Sequence, residues 1–519
     1  MPTVSSRLFR RKTPDAIARE TGETGMRRTL GPVQLTLLGV GSIIGAGIYV
    51  MTGNAAANFA GPAILLSFVL AGLACVFAAL SYAELASTMP VAGSAYTYAY
   101  VTTGELSAWV IGWLMLLEYG IAGAAVASGL SGYLASLLSD LGVHVPAALH
   151  VSLVSTVSTP DGQHLVWGGG VNVLAVAAIV AVVALLVRGV AESAAVNSVI
   201  VLVKLGVLLL FVLFGIGAIH RANWVPFIPP NQGGFRFGVP GIFRAASVIF
   251  FAYMGFETVS TAGAEARNPQ RDMPRGILSA LVLCTVAYLC VAAVLTGVVP
   301  YQRLGVPDPL AIAVDAMHQP LLGLVVKFGA VAGLSSVLLS LTYGQSRIFY
   351  TMARDGLLPA LFGRLHPVRR TPWLGTIVLG VCMAAAAAIL PIGIIGDLVS
   401  LGTTCSFGIV CVTVIWHRNR FPDAVRPFRV PLGGVRVGGV WIGTVPSLGV
   451  AFCLLMASPL LIDLVAEASR GNMLPLSLLV GYVLLGACAY VGYGYRHSRL
   501  GHDLPPIEAL GAVSVTPPG

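Results

Sequence analysis

Residues 39–49 read GVGSIIGAGIY, which places four glycines (Gly39, Gly41, Gly45 and Gly47) inside the first long apolar segment of the chain. The stretch from Val33 to about Ala60 is long enough to cross a bilayer, and the glycines fall near its middle. Lipid offers backbone N–H and C=O groups no partner, so an interrupted helix is tolerated at that depth only beside protein or a cavity. Such a break leaves backbone donors and acceptors free in mid-membrane, an arrangement that suits the capture of a small zwitterion. A second reading stands beside it, because Gly41 and Gly45 also have the small-xxx-small spacing of close helix packing. The rest of the chain decides between them.

Of the 519 residues, 56% are hydrophobic and 10% are charged, where a soluble domain carries about 25% charged residues. Mean hydropathy is +0.87. These values describe an all-α polytopic membrane protein. Apolar runs predict twelve transmembrane helices, at about 33–60, 62–85, 105–138, 171–189, 194–218, 240–264, 275–299, 321–352, 374–391, 394–417, 445–466 and 473–494. Residues 1–32 are basic and polar, with no apolar run before Val33, so no cleavable leader is expected. An amphipathic cytoplasmic helix around Asp15–Thr24 and disorder are equally compatible with that segment.

The net charge of +9 is distributed by topology. With the amino terminus inside, the outer loops hold only Arg221, Arg236, Arg303 and Arg470, and the long outer segment 139–170 has no Lys or Arg. The positive-inside rule therefore puts both termini in the cytoplasm, and no nucleic-acid partner is implied. Segment 139–170, rich in Ser, Thr and Gly, reads as an irregular loop. The eight cysteines all fall within expected spans and none forms a CxxC pair. The nine histidines form no HxxxH or HExxH pattern, so no metal or cofactor is expected.

A second interrupted segment decides the question that the glycines opened. Span 6 contains FFAYMGFETVS at 250–260, again with glycine and polar residues in mid-span. Counted from the inner end, span 1 reaches Gly45 after about 18 Å, and span 6, entering from outside, reaches Met254 and Gly255 after about 21 Å. Both breaks fall near the middle of a core about 30 Å thick. The two spans are five apart and run in opposite directions, which is the sequence signature of a transport site between inverted repeats.

Several motifs resemble one family in order along residues 28–495. GSIIGAGIY (41–49) resembles the first-span motif of the amino acid–polyamine–organocation transporters, and YAELASTMP (82–90) with GSAY (93–96) their second-to-third span signature. FAYMGFE (251–257), EARNPQRDMP (265–274) and GQSRIFYTMARDGLLP (344–359) are similar to the cationic amino acid transporter branch, in its bacterial form. The resemblance implies a 5+5 inverted-repeat core of the leucine-transporter type with broken helices 1 and 6. Residues 33–218 and 240–417 would be the repeats, 445–494 two peripheral spans, and 1–32 and 495–519 cytoplasmic ends. It implies alternating access by rocking of a bundle of spans 1, 2, 6 and 7. By position, the amides of Gly45, Ala46 and Gly47 would receive a substrate carboxylate. The carbonyls of Ile43, Ile44, Phe251, Ala252 and Met254, beside Gly255, would receive its ammonium. Half-helix dipoles favour the same placement. Phe251 would close the site as an aromatic lid; filling the core is the alternative.

Charges inside the membrane are rare and usually functional. Lys204 lies about 15 Å into span 5, too deep to snorkel. In the resembling family a span-5 lysine stands where sodium-coupled relatives hold their ion, and it would bridge spans 1, 5 and 8. A lysine that gains and loses a proton there would couple transport to the proton gradient. Glu118 in span 3 and Glu257 in span 6 are the deep carboxylates, able to take a proton, line the pocket or brace the broken segment. Glu84, Glu265, Arg347 and Arg354, near the cytoplasmic ends, read as inner ion pairs.

The expected activity is proton-coupled symport of L-amino acids across a bacterial inner membrane by a monomer, with protons and the bilayer as the other partners. Small neutral substrates are favoured because the span-8 face (Ser335, Ser336, Leu338, Thr342) offers no acid. The alternatives are an amino acid or polyamine exchanger, cationic amino acid uptake, and a non-transporting sensor, against which the lack of a substantial cytoplasmic domain argues. No nucleophile–base pair or phosphate loop supports an enzyme.

Overall fold

Pro32 starts α1 (Pro32–Ile43), its missing N–H falling where a helix has no partner for one. The helix stops because Ile44 turns to extended backbone (φ −74°, ψ 92°). Winding resumes in α2 (47–60), part of it in wide π-type turns, and ends at Gly61, whose φ of +58° only glycine adopts without strain. The computed structural model describes residues 10–12, 28–90, 93–159, 162–189, 194–263 and 265–501. The expected amino-terminal helix around Asp15–Thr24 lies outside the described residues.

After α2 come α3 (Ile64–Thr88), the short α4 (Ser94–Thr102) and α5 (Glu105–Asp140), which widens to π winding at Leu116–Ile121. The outer segment 139–170, expected to be irregular, instead forms an antiparallel hairpin of β1 (Val154–Thr159) and β2 (Gly162–Trp167), with Val154 opposite Trp167. Its Val and Thr residues suit a pleated ladder. Then follow α6 (Val173–Val187), α7 (Ala194–Ile216), α8 (Gly238–Ile249) and the single turn α9 (Thr258–Thr261). Next are α10 (Pro269–Val298), α11 (Pro309–Ala316), α12 (Pro320–Arg354), α13 (Trp373–Ile389) and α14 (Ile392–Arg420). A second hairpin, β3 (Gly434–Val437) and β4 (Val440–Gly443), turns on Gly438 and Gly439, both at positive φ. The chain ends in α15 (Thr444–Ser469) and α16 (Leu474–His497).

Among the described residues, nine helices are long and apolar enough to cross a membrane, and Pro32–Ile43, Val173–Val187 and Trp373–Ile389 are shorter apolar helices. The expected first span is divided between α1 and α2, and the sixth between α8 and α9. Two sets of helices pack internally: α10 lies along α3 and α1, with α8 on α3, while α5 lies along α12, with α6 on α13 and α5. The segment Gly238–Thr261 is mostly buried and Leu474–His497 mostly exposed, so the broken sixth segment is central and α16 is at the rim.

Candidate functional site

The two breaks meet. After α8 the chain makes one tight turn at Phe250–Tyr253, extends at Met254 (ψ 134°) and passes Gly255 at φ +125°. A Cβ on Gly255 would lie 2.6 Å from the Ser42 carbonyl carbon and 2.7 Å from the Ile43 nitrogen. A Cβ on Gly47 would lie 2.3 Å from the Ala252 Cα. Each break thus supplies a glycine that rests on the backbone of the other, and neither position has room for a side chain. Gly41 serves a different contact, since its Cβ would meet Val201 of α7 at 2.6 Å. The glycine run therefore holds both packing and break positions.

The amides of Gly45, Ala46 and Gly47 donate none of the backbone hydrogen bonds that join separate segments among the described residues. They open the second half of the span, where a helix has no preceding turn to bond. Of the carbonyls expected to receive an ammonium group, most already accept a bond from the chain. Ile44 takes Lys204 Nζ at 3.3 Å, and Phe251 takes the Met254 N–H at 3.1 Å. Ile43 and Ala252 face the hydroxyl of Tyr288, on α10, at 2.7 and 2.9 Å. Each carbonyl retains a second lone pair for a further donor. Tyr288 was missed in the sequence. Its signal was a tyrosine in the apolar run LVLCTVAYLCVAAVL (281–295), since a buried hydroxyl needs a partner.

Lys204 is 1% exposed and also donates to the Gly41 carbonyl at 3.0 Å. Its stem passes Gly333 of α12, where a Cβ would lie 3.3 Å from Lys204 Cγ. It thus joins α7, α1 and α12. Glu257, fully buried, accepts the Gly255 N–H at 2.8 Å and the Tyr119 hydroxyl of α5 at 3.0 Å. Its bonds brace the second break. Glu118 sits in the π-wound part of α5, fully buried, and neither of its carboxyl oxygens has a hydrogen-bond partner among the described residues. The hydroxyls of Ser406 and Tyr82 lie near this carboxyl group, as does Glu257. Phe251 is 3% exposed in the turn before Met254.

Ion clusters lie at both ends of α14. Toward one end, the Arg244 guanidinium of α8 binds Asp397 at 2.7 and 3.0 Å and Asp463 of α15 at 2.8 Å, and it stands 4.6 Å over the Phe59 ring. Toward the other, Glu84 of α3 takes Arg418 at 2.5 and 2.7 Å and the Val430 N–H at 2.7 Å. Elsewhere, Lys12 binds Asp355 at 2.6 Å, and Tyr96 donates to the same carboxylate at 2.7 Å. Arg347, expected among these pairs, lies 4.3 Å over the Tyr343 ring, and the Glu265 carbonyl accepts the Leu30 N–H at 3.0 Å.

A family model described as amino acid permease matches residues 30–485. The chain is similar to the methylthioribose transporter of Bacillus subtilis (strain 168), 40% identical over 495 residues, which are 95% of this chain and 99% of that relative. It is 39% identical to the branched-chain amino acid permease of the same organism, with the same coverage of 95% and 99%. It is also 37% identical to the vacuolar cationic amino acid transporter 4 of Arabidopsis thaliana over 420 residues, 80% of this chain and 68% of the relative.

Proposed function

The chain belongs to the amino acid permease family of multi-pass membrane transporters, and we propose that it is a proton-coupled L-amino acid symporter working by alternating access. On this reading the membrane is crossed twelve times, by α1 with α2, α3, α5, α6, α7, α8 with α9, α10, α12, α13, α14, α15 and α16. Both termini are cytoplasmic and the membrane is the bacterial inner membrane. The observation that carries the reading is the crossing of two interrupted segments, Gly47 against Ala252 and Gly255 against Ser42 and Ile43. Paired breaks of this kind offer backbone groups to a solute at mid-depth.

The substrate carboxylate sits on the amides of Gly45, Ala46 and Gly47, and its ammonium on the carbonyl side near Ile43, Ala252 and Met254. The separate packing of α1, α3, α8 and α10 supports their moving as one body against α5, α6, α12 and α13. Proton coupling falls to Lys204. Protonated, it grips the Gly41 and Ile44 carbonyls; neutral, it holds them less strongly and frees the break to open. Val337, 3.1 Å from where a Gly45 Cβ would stand, gives the pocket an apolar wall suited to small neutral side chains.

The relative named for methylthioribose favours a second reading, with a sugar thioether in the same crossing. Purified protein screened by thermal shift against the twenty amino acids and methylthioribose separates the two. Proteoliposomes then test coupling. Accumulation of the stabilising amino acid when the outside is acidified, lost when the gradient is collapsed, supports symport. Uptake only against a preloaded amino acid makes the protein an exchanger, and a shift with arginine but none with alanine moves the substrate to the cationic class.

A further inference from the structure

Tyr288 enters the crossing from α10, outside either broken segment. Its hydroxyl oxygen stands 2.7 Å from the Ile43 carbonyl oxygen and 2.9 Å from that of Ala252. One of these carbonyls ends α1 and the other lies in the turn before Met254, so the hydroxyl stands within hydrogen-bond distance of both breaks. A hydroxyl has one proton to donate. At any instant it serves only one of the two carbonyls, in a fully buried place. Two carbonyl dipoles aimed at one point repel each other, and the shared proton is what offsets that repulsion. The ring is fixed by its neighbours, with centroids 5.5 Å from Phe68 and 5.6 Å from Tyr253. These two aromatic neighbours hold the hydroxyl in place.

We propose that Tyr288 is a positioning residue that keeps the Ile43 and Ala252 carbonyls converging on the place taken by a substrate ammonium group. The proposal rests on the amino-acid reading above and deepens it. The under-supplied carbonyl pair attracts a cationic donor with several protons. An α-ammonium group meets that demand, and a carboxylic acid without the amino group does not. Tyr288 thus makes the crossing selective for the amino group while the amides on the other side receive the carboxylate.

The test is uptake kinetics in proteoliposomes for wild type, Tyr288→Phe and a protein with 4-aminophenylalanine at 288, using the amino acid that stabilises wild type. Phenylalanine keeps the ring contacts and removes the donor. The expected result is a KM raised roughly tenfold, as for loss of one hydrogen bond, with the maximal rate within about twofold of wild type. Inhibition by the corresponding deaminated acid should weaken less than amino acid binding does. The 4-amino group restores a donor in the same position and should bring KM back toward wild type. A KM for Tyr288→Phe equal to wild type overturns the proposal, as does a raised KM that the 4-amino group leaves unrescued. If Tyr288→Phe does not fold, the 4-aminophenylalanine protein decides alone: near-wild-type KM supports the role and a KM as poor as that of a donor-free site overturns it. If wild type neither binds nor carries any amino acid, the functional reading fails on its own. The tie between the breaks is then read from thermal stability, supported by a loss in Tyr288→Phe that the 4-amino group reverses and overturned if the three proteins are equal.

Discussion

The break between α1 and α2 and the break between α8 and α9 are held by charges of opposite sign and different origin. At the first, α1 ends in carbonyls, and the cation that meets them is Lys204 from a distant helix, α7. At the second, the N–H of Gly255 is met by Glu257, an anion two residues away in the same segment. The signs follow from the backbone: a helix C-terminal end carries partial negative charge, and free N–H groups carry positive charge. The origins teach more. A local anion fixes the shape of its own turn and travels with it. A lysine on another helix joins separate elements instead. On the proposed mechanism the first break is the one released and the second the one that keeps its form.

The largest effect should come from removing what the breaks share, their mutual contact. Gly47→Ala puts a methyl group 2.3 Å from the Ala252 Cα, a backbone neighbour that cannot swing aside. Overpacking of this kind costs about 1–3 kcal/mol or more. Gly255→Ala adds the strain of a side chain at φ +125° to a similar clash, about 1–3 kcal/mol further. Both variants should show clear loss of thermal stability and of monodisperse protein after extraction, Gly255→Ala more severely. A Gly47→Ala protein as stable as wild type would mean that the breaks do not press on one another.

Next in size is the test of the two charges. Lys204→Ala should reduce uptake driven by a pH gradient by roughly 5–150-fold, the range of an ordinary coupling energy, while exchange against preloaded substrate falls less. Glu257→Gln keeps an oxygen that can accept the Gly255 N–H, so uptake should fall by only about tenfold or less and its dependence on the gradient should persist. The comparison breaks if the results are reversed, with gradient dependence lost in the glutamine variant and retained in the alanine one.

The same contrast explains what could be read from the sequence. Glycines grouped in an apolar run and a lone lysine in another run are anomalies of composition, so both breaks and Lys204 were legible. Which glycine meets which backbone was not, because nothing local to Gly47 encodes Ala252. Arg244 falls within the expected span 240–264, yet its partners Asp397 and Asp463 lie far along the chain. Tyr288 went unread because its one signal, a hydroxyl in an apolar run, names neither of the carbonyls that it meets. The hairpin of β1 and β2 was hidden for a related reason: Ser and Thr count as polar loop residues until a facing strand supplies their ladder.

The smallest effect should follow Tyr119→Phe, and it sharpens the division between release and shape. The variant removes the bond from α5 to Glu257 but leaves the Gly255 N–H on that carboxylate. The ring keeps its place against Gly344, where a Cβ would lie 3.5 Å from it. Loss of a hydrogen bond to a carboxylate that retains another donor should lower stability by about 1–2 kcal/mol. Gradient-driven uptake should stay within about threefold of wild type, since the turn itself is intact. Were this variant to match Lys204→Ala in uptake, the tie from α5 would be as much a moving contact as the lysine. The second break would then also be a joint between bodies, and the distinction between a local anion and an imported cation would lose its meaning.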